Sequence, residues 1–240
     1  IGMGVNFSAL YAYYLASPVN WLLILCPKKF IIEFMTILIV LKTGLSGLSL
    51  SWYLKKHFGV NNFGVGFFGI FYALSGYMAA YSWNIMWLDC IMLFPIILLG
   101  LEQLVKEKRG TLYCITLGLS ILSNYYISIM ICIFMVIYVI AQMTLNPPKS
   151  FGEFMGTGLR FAFYSLLAGG LAAVVLLPEI YALQVTASGD FDFPKTFSSY
   201  FSIFDMIARH IGNVGTEIGL DHWPNIYCGV AVLMFFLLYL

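Results

Sequence analysis

Apolar residues in this chain come in long runs separated by short polar stretches. The runs Phe30–Leu54, Phe63–Trp83, Ile85–Leu101, Thr111–Leu145 and Thr157–Leu177 are long enough, or nearly so, to cross a bilayer, which takes roughly 20 helical residues. A last run, Gly229–Leu240, is too short to cross. Taken as one helix, Thr111–Leu145 would be about 52 Å long against a core of about 30 Å. The polar quartet Ser123-Asn124-Tyr125-Tyr126 sits in its middle, so two short helices joined by a tight turn are predicted there. Leu10–Leu25 is apolar and aromatic but is interrupted by Ser17-Pro18-Val19-Asn20. Proline breaks helices and biases the residue before it towards extended structure. Two short helices lying along the membrane interface are therefore expected in place of a crossing.

Composition agrees with a membrane setting. Hydrophobic residues are 61% of the 240 and charged residues 10%, where soluble domains are about half apolar and a quarter charged. The net charge is +1 without a basic stripe, which argues against both disorder and nucleic-acid binding. The expected fold class is all-α, a polytopic transmembrane helical bundle with about six complete crossings plus one truncated. The chain opens at Ile1 without an initiator Met and closes inside an apolar run. That pattern predicts an internal piece of a longer polypeptide, with any signal or first membrane helix upstream. Cys26, Cys90, Cys114, Cys132 and Cys228 form no CxxC or Cys/His pattern, so neither metal ligation nor redox chemistry is expected. Small residues recur at helical spacing at Gly44, Gly47 and Ser51, and at Gly169, Gly170, Ala172 and Ala173. Such faces let helices approach closely in lipid.

Charge orients the helices. Lys55, Lys56, Lys106, Lys108, Arg109, Lys149 and Arg160 belong to three loops. A turn at Asn124 puts all three on one side, cytoplasmic by the positive-inside rule, whereas a single crossing would divide them. The organisation expected is an outer loop with interfacial helices at 1–29 and the bundle at 30–178. An extracytoplasmic segment at 179–225 and a truncated membrane helix at 226–240 complete it. The 179–225 segment carries Asp190, Asp192, Asp205, Glu217 and Asp221 against Lys195 and Arg209. Lys28 and Lys29 are basic exceptions on the outer side.

Ionisable groups inside a bilayer are costly and sit at paired or functional positions. Lys42 falls near the bilayer midplane and needs a partner or a wet cavity. Asp89, in Trp83-Asn84-Ile85-Met86-Trp87-Leu88-Asp89, lies at a helix N-terminus whose dipole favours the ionised form. It can serve as a base, bind a cation or neutralise Lys42. Glu33 at the outer end of its helix reads as an interfacial carboxylate. Glu179, after Pro178, can take a proton from an acceptor hydroxyl or simply end a helix. Arg209, beside His210, suits a phosphate clamp or a salt bridge to Asp205 or Glu217. Asn124 and Tyr125 suit a hydroxyl-rich ligand or a plain turn.

The motifs resemble those of the YfhO family of bacterial membrane proteins. Gly2-Met3-Gly4-Val5-Asn6 is followed by Tyr13-Tyr14-Leu15-Ala16-Ser17-Pro18-Val19-Asn20, Leu74-Ser75-Gly76-Tyr77, and Trp83 to Asp89 with Pro95. Asn124-Tyr125-Tyr126, Leu176-Leu177-Pro178 with Tyr181-Ala182-Leu183, and Asn225-Ile226-Tyr227-Cys228-Gly229 complete an ordered set along nearly the whole chain. The resemblance implies a GT-C-like fold and a membrane glycosyltransferase of the bacterial cell membrane. It would move a sugar from a polyprenyl-phosphate donor to an envelope polymer such as lipoteichoic acid, on the outer face. In that fold the first outer loop supplies the carboxylate that activates the acceptor. No Asp or Glu precedes Glu33, so that group is expected upstream of residue 1. The family pattern after Leu-Leu-Pro has a small polar residue where this chain has Glu179. Asp89 and Glu179 remain as catalytic candidates here. Arg209, His210, Asn124, Tyr125, Tyr13, Tyr14 and Lys42 are candidates for substrate binding. The partners implied are membrane lipid, the polyprenyl-phosphate sugar and the polymer acceptor, with no nucleic acid, no cofactor and no metal set. A secondary transporter or flippase of lipid-linked sugars is the alternative, with Lys42 and Asp89 on its path. A non-catalytic lipid-binding scaffold is a third.

Overall fold

The computed structural model describes residues 7–184, 201–211, 215–216, 218 and 224–239. Asp190, Asp192, Lys195, Glu217, Asp221, Trp223 and the Gly2–Asn6 motif lie outside the described residues. The described part is helical throughout. A short helix α1 (Phe7–Leu10) runs into one π-helical turn (Tyr11–Leu15) and two 3-10 segments, Asn20–Leu25 and Lys28–Phe30. Then come α2 (Ile31–Phe58), α3 (Phe63–Ala73), α4 (Gly76–Tyr81), α5 (Leu88–Glu107) and α6 (Thr111–Ser123). They are followed by α7 (Tyr125–Leu145), α8 (Phe151–Leu171), α9 (Ala173–Gln184), α10 (Ile203–Ala208) and α11 (Val230–Tyr239). The opening turns before Lys28 are short and irregular, as expected from Ser17-Pro18, and each is too short to span.

Helix α5 is the axis of the bundle. It packs on α2, α6, α7 and α8 and buries residues on every side, among them Leu88, Ile97, Leu101 and Leu104. Outward positions elsewhere are apolar. Ile129, Ile133, Ile137 and Ile140 of α7, and Leu159, Phe163 and Leu166 of α8, are exposed. An apolar exterior at helical spacing is what lipid selects, because no water there competes for side chains.

The turn predicted at Asn124 is present. Ser120 Oγ and Ser128 Oγ lie 2.7 Å apart, where eight residues of straight helix would separate them by about 12 Å. Asn124 itself is extended, with φ −161°. Helix α5 runs from the Asn124 end of the bundle to the other end, and the termini carrying Lys55, Lys56, Lys106 and Lys149 gather at that other end.

The count of crossings is smaller than expected. Among the described residues four stretches are long and apolar enough to span, Lys28–Phe58, Phe63–Tyr81, Leu88–Glu107 and Tyr125–Leu145, and five if the bent pair α8 and α9 makes one span. Helix α6 has 13 residues, about 20 Å of helix, short of the bilayer core. The run expected from Phe63 to Trp83 still makes one span, Phe63–Tyr81, with a turn at Leu74–Ser75 inside it. The run Thr157–Leu177 also fails to continue straight, because α8 and α9 meet at 81°. Gly169 and Gly170, weak helix formers, precede that bend. Pro95 stays inside α5. It has no N–H for the Ile91 carbonyl four residues back, and the Tyr72 hydroxyl donates to that carbonyl instead, at 2.8 Å.

Close approaches use glycine. A Cβ on Gly100 would come 2.7 Å from Tyr113 Cα, and one on Gly69 would come 2.6 Å from the Gly47 carbonyl oxygen. Gly47 and Ser51 thus form the α2–α3 contact the small-residue pattern predicts. Gly44, Gly169 and Gly170 would meet nothing within 4 Å, so at those positions the pattern marks no interface. Gly100→Ala should cost about 1–3 kcal/mol of stability through overpacking against backbone. Gly44→Ala should leave it unchanged or slightly raised. Thermal unfolding of the full-length protein in detergent separates the two.

Candidate functional site

The break Ser17-Pro18 turns the chain back on the bundle. The Asn20 N–H donates to the Ser17 carbonyl at 3.1 Å, and the turn directs Ser17 and Asn20 at the same two charged groups. Lys42 Nζ donates to Asp89 Oδ2 at 2.7 Å, to Asn20 Oδ1 at 2.6 Å and to the Ile85 carbonyl at 3.1 Å. An ammonium has three protons, and all three are used. Asp89 Oδ2 accepts a further bond from Ser17 Oγ at 2.7 Å. Lys42 is 0% and Asp89 1% exposed. Three separate segments therefore meet at one buried ion pair. Lys42 sits about 20 Å along α2 from Lys55. Asp89 Oδ1 and Asn84 Nδ2 are buried with no hydrogen-bond partner.

Above this pair runs a wall of aromatic rings. Tyr77 and Tyr81 lie 5.1 Å apart, Tyr81 and Trp87 5.8 Å, and Trp87 stacks on Tyr126 at 6.1 Å. Tyr126 meets Tyr13 at 6.1 Å, and Tyr13 meets Tyr125 at 6.2 Å and Tyr14 at 4.7 Å. Tyr14 and Tyr126 are exposed. Burial pushes the Tyr13 phenol above its ordinary pKa, so it stays a neutral donor. Asn124 holds this wall together. Its Oδ1 accepts the Ile127 N–H at 3.0 Å and its Nδ2 donates to the Tyr13 carbonyl at 3.0 Å. Fully buried, Asn124 makes the turn and ties down the opening segment.

Glu179 is the other buried carboxylate at this end. It is 2% exposed, and neither oxygen has a hydrogen-bond partner. Its polar neighbour is the Tyr125 phenol. Helix α9, which carries Glu179, packs on α1 and on the Tyr11–Leu15 turn, so the 81° bend after α8 is what swings this carboxylate under the aromatic wall. The bent chain brings Tyr13, Tyr14, Tyr125 and Glu179 together, with Asp89 and Lys42 beneath Ser17 and Asn20.

Arg209 and His210 are placed otherwise. The Arg209 guanidinium donates to the carbonyls of Pro224 and Gly215 at 3.1 and 3.0 Å and to Asn225 Oδ1 at 2.8 Å. It fastens the segment leading into α11 and is 3% exposed. The expected partner Asp205 instead closes a capping box with Ser202. His210 Nδ1 lies 2.8 Å from the Met206 carbonyl.

Sequence reasoning missed a second polar cluster at the opposite end. Glu102 Oε1 accepts from Tyr53 at 2.8 Å and from Tyr138 at 2.7 Å and lies 2.7 Å from His57 Nδ1. Its Oε2 accepts from Lys106 at 3.1 Å, and Gln142 donates to Tyr138 at 3.0 Å. The signal was present as polar pairs four apart, Tyr53/His57, Glu102/Lys106 and Tyr138/Gln142, each near the same end of a different apolar helix. This cluster ties α2, α5 and α7.

Comparison with known proteins decides the family. The family profile described as Bacterial membrane protein YfhO matches residues 1–240. The chain belongs to the YfhO family. Among curated proteins, Uncharacterized protein YfhO of Bacillus subtilis (strain 168) is similar to it, at 23% identity over 192 residues. That match covers 75% of this chain and 22% of the relative, so the chain spans a small part of the relative's length. No solved structure matches.

For this YfhO-family chain the buried pair yields a direct test. Lys42→Met leaves Asp89 buried and uncompensated and should cost about 3–5 kcal/mol. The double substitution Lys42→Met with Asp89→Leu should recover most of that loss. Denaturant unfolding of the four proteins of this cycle checks it. Additive losses would contradict direct pairing.

Proposed function

We propose that the chain is part of a membrane glycosyltransferase. In this reading it moves a sugar from a polyprenyl-phosphate carrier to a hydroxyl of an envelope polymer such as lipoteichoic acid. The Asn124 end faces outward, since the basic loops lie at the other end and the positive-inside rule makes that end cytoplasmic. The observation that carries the proposal is Glu179, a buried carboxylate with no hydrogen bond to either oxygen, beside the Tyr125 phenol.

A general base must have a carboxylate oxygen free to take the acceptor's proton, and neither Glu179 oxygen is held by a hydrogen bond. In the proposed step the acceptor hydroxyl gives its proton to Glu179 as its oxygen bonds the sugar's anomeric carbon. The bond from that carbon to the carrier phosphate breaks, and the phosphate leaves on the lipid. The rings of Tyr13, Tyr14, Tyr126 and Trp87 offer apolar faces for the sugar. Asp89 is given a positioning role, because its Oδ2 is committed to Lys42 and Ser17.

The transporter alternative needs a polar route through the bundle. Between Asp89 and Glu102 the buried positions of α5 include Ile97, Leu98 and Leu101, which weighs against such a route among the described residues.

Deleting the full-length gene should remove one sugar substituent from an envelope polymer, read by mass spectrometry, and the intact gene should restore it. A Glu179→Gln gene, expressed to the same level in the membrane, should restore it at a rate lower by about 100-fold or more. Unchanged polymers in the deletion strain would sink the transferase reading.

A further inference from the structure

Two of the sequence motifs that the transfer step leaves unused meet each other in the structure. Leu74-Ser75-Gly76-Tyr77 makes the turn between α3 and α4, and Asn225-Ile226-Tyr227-Cys228-Gly229 leads into α11. The Gly76 N–H donates to the Tyr227 carbonyl at 2.6 Å. Helix α4 has six residues, and Ser75 before it makes no side-chain cap bond. So short a helix is not stable by itself, and Gly76 carries one of the amides that a helix start leaves open. Tyr227 supplies the acceptor. A Cβ on Gly76 would come 3.2 Å from Tyr227 Cβ, so the close approach depends on glycine. Two residues further on, Gly229 has φ 105°, and a Cβ there would come 3.0 Å from the Phe71 ring of α3. Residues 224–229 therefore strap both sides of the α3–α4 turn.

Arg209 sets the course of that strap. It donates to the Pro224 carbonyl and Asn225 Oδ1, on the first two strap residues, and to the Gly215 carbonyl. With Gly76 and Ala79 it borders one cavity of about 200 Å³, so it stands a cavity's width from α4. Helix α4 carries Tyr77 and Tyr81, with which the aromatic wall begins, and Tyr81 meets Trp87 at 5.8 Å. One chain of contacts thus runs from buried Arg209 through the strap and Gly76 to the wall.

We infer that Arg209 is a positioning residue for the aromatic wall, acting through the 224–229 strap to fix α4 and with it Tyr77 and Tyr81. The inference rests on the reading in which that wall receives the sugar. A cation kept for its charge would present it to a ligand. This guanidinium is 3% exposed, and the three acceptors named here are neutral. What it contributes is geometry, a rigid planar fork that reaches several acceptors at once, which an ammonium on a flexible stem does not match.

The test has a structural arm and a transfer arm, both on the full-length protein. In nanodiscs, hydrogen exchange read by mass spectrometry should show the α4 amides exchanging about tenfold faster in Arg209→Ala than in wild type. Those of α6 should be unchanged. Gly76→Ala, which pushes Tyr227 away and leaves Arg209 intact, should have the same local effect. In cells lacking the native gene, Arg209→Ala and Arg209→Lys at equal membrane levels should each restore sugar transfer at a rate lower by about a hundredfold, as displaced substrate contacts do. Lysine keeps the charge, so it rescues a role in charge and not a role in geometry. Wild-type protection of α4 in the Arg209→Ala protein overturns the inference, and so does a wild-type transfer rate in Arg209→Lys. The two failures are separable. Polymers unchanged by deleting the gene would end the transferase reading, while the exchange arm still decides whether Arg209 fixes α4.

Discussion

An ammonium group held inside a bilayer has to find acceptors or leave, and the way Lys42 finds them shapes one whole end of this protein. Its three protons go to Asp89, Asn20 and the Ile85 carbonyl, which belong to different parts of the chain. Removing water from two charges costs several kcal/mol per ion, and the pair is favourable only with further hydrogen bonds such as that from Ser17. The opening segment is therefore part of the solution to a charge problem in the bundle. Once Ser17 and Asn20 are drawn in, Tyr13 and Tyr14 are carried in with them, Tyr13 against Tyr125 and Tyr126. Asn124 then secures them through the Tyr13 carbonyl.

The same constraint explains how the bundle tolerates its irregularities. In lipid every freed backbone group needs a partner. Tyr72 serves the carbonyl that Pro95 leaves open, and Asn124 caps α7 where the chain reverses. Glu102 gathers the opposite ends of α2, α5 and α7. Two polar clusters, one at each end of α5, thus frame an apolar middle made of residues such as Ile97 and Leu101. Glu179 is a buried carboxylate with no hydrogen bond to either oxygen and the Tyr125 phenol beside it, and the proposed chemistry uses it.

Much of the fold was legible in the sequence wherever a one-dimensional quantity decided it. Thr111–Leu145 exceeds a bilayer's thickness and carries a polar quartet midway, so the hairpin followed from length alone. Ser17-Pro18 announced a break, and small residues announced the α2–α3 contact at Gly47. The family motifs were readable in order. Partners distant in sequence were not: Ser17 and Asp89 are 72 positions apart and Lys42 and Asp89 are 47 apart, although that second pairing was one of the alternatives open for Asp89. The 81° bend follows Gly169 and Gly170, which in the sequence read as a packing face, and the α9 contact with α1 has no local signal. Arg209 read as a phosphate clamp or as the partner of Asp205 or Glu217, because backbone carbonyls such as those of Pro224 and Gly215 are acceptors that every residue offers and no residue type betrays.

The central claim is that the Lys42–Asp89 pair holds the opening segment on the bundle. Hydrogen exchange by mass spectrometry on the full-length protein in nanodiscs reads this directly, comparing wild type with Lys42→Met. The account predicts that amides from Ser17 to Leu25 exchange at least about tenfold faster in the variant, as local opening requires. Amides of α6, buried against α5 and α8, should keep their protection. If residues 17–25 stay as protected in the variant as in the wild type, the segment is held by something else and the account is wrong.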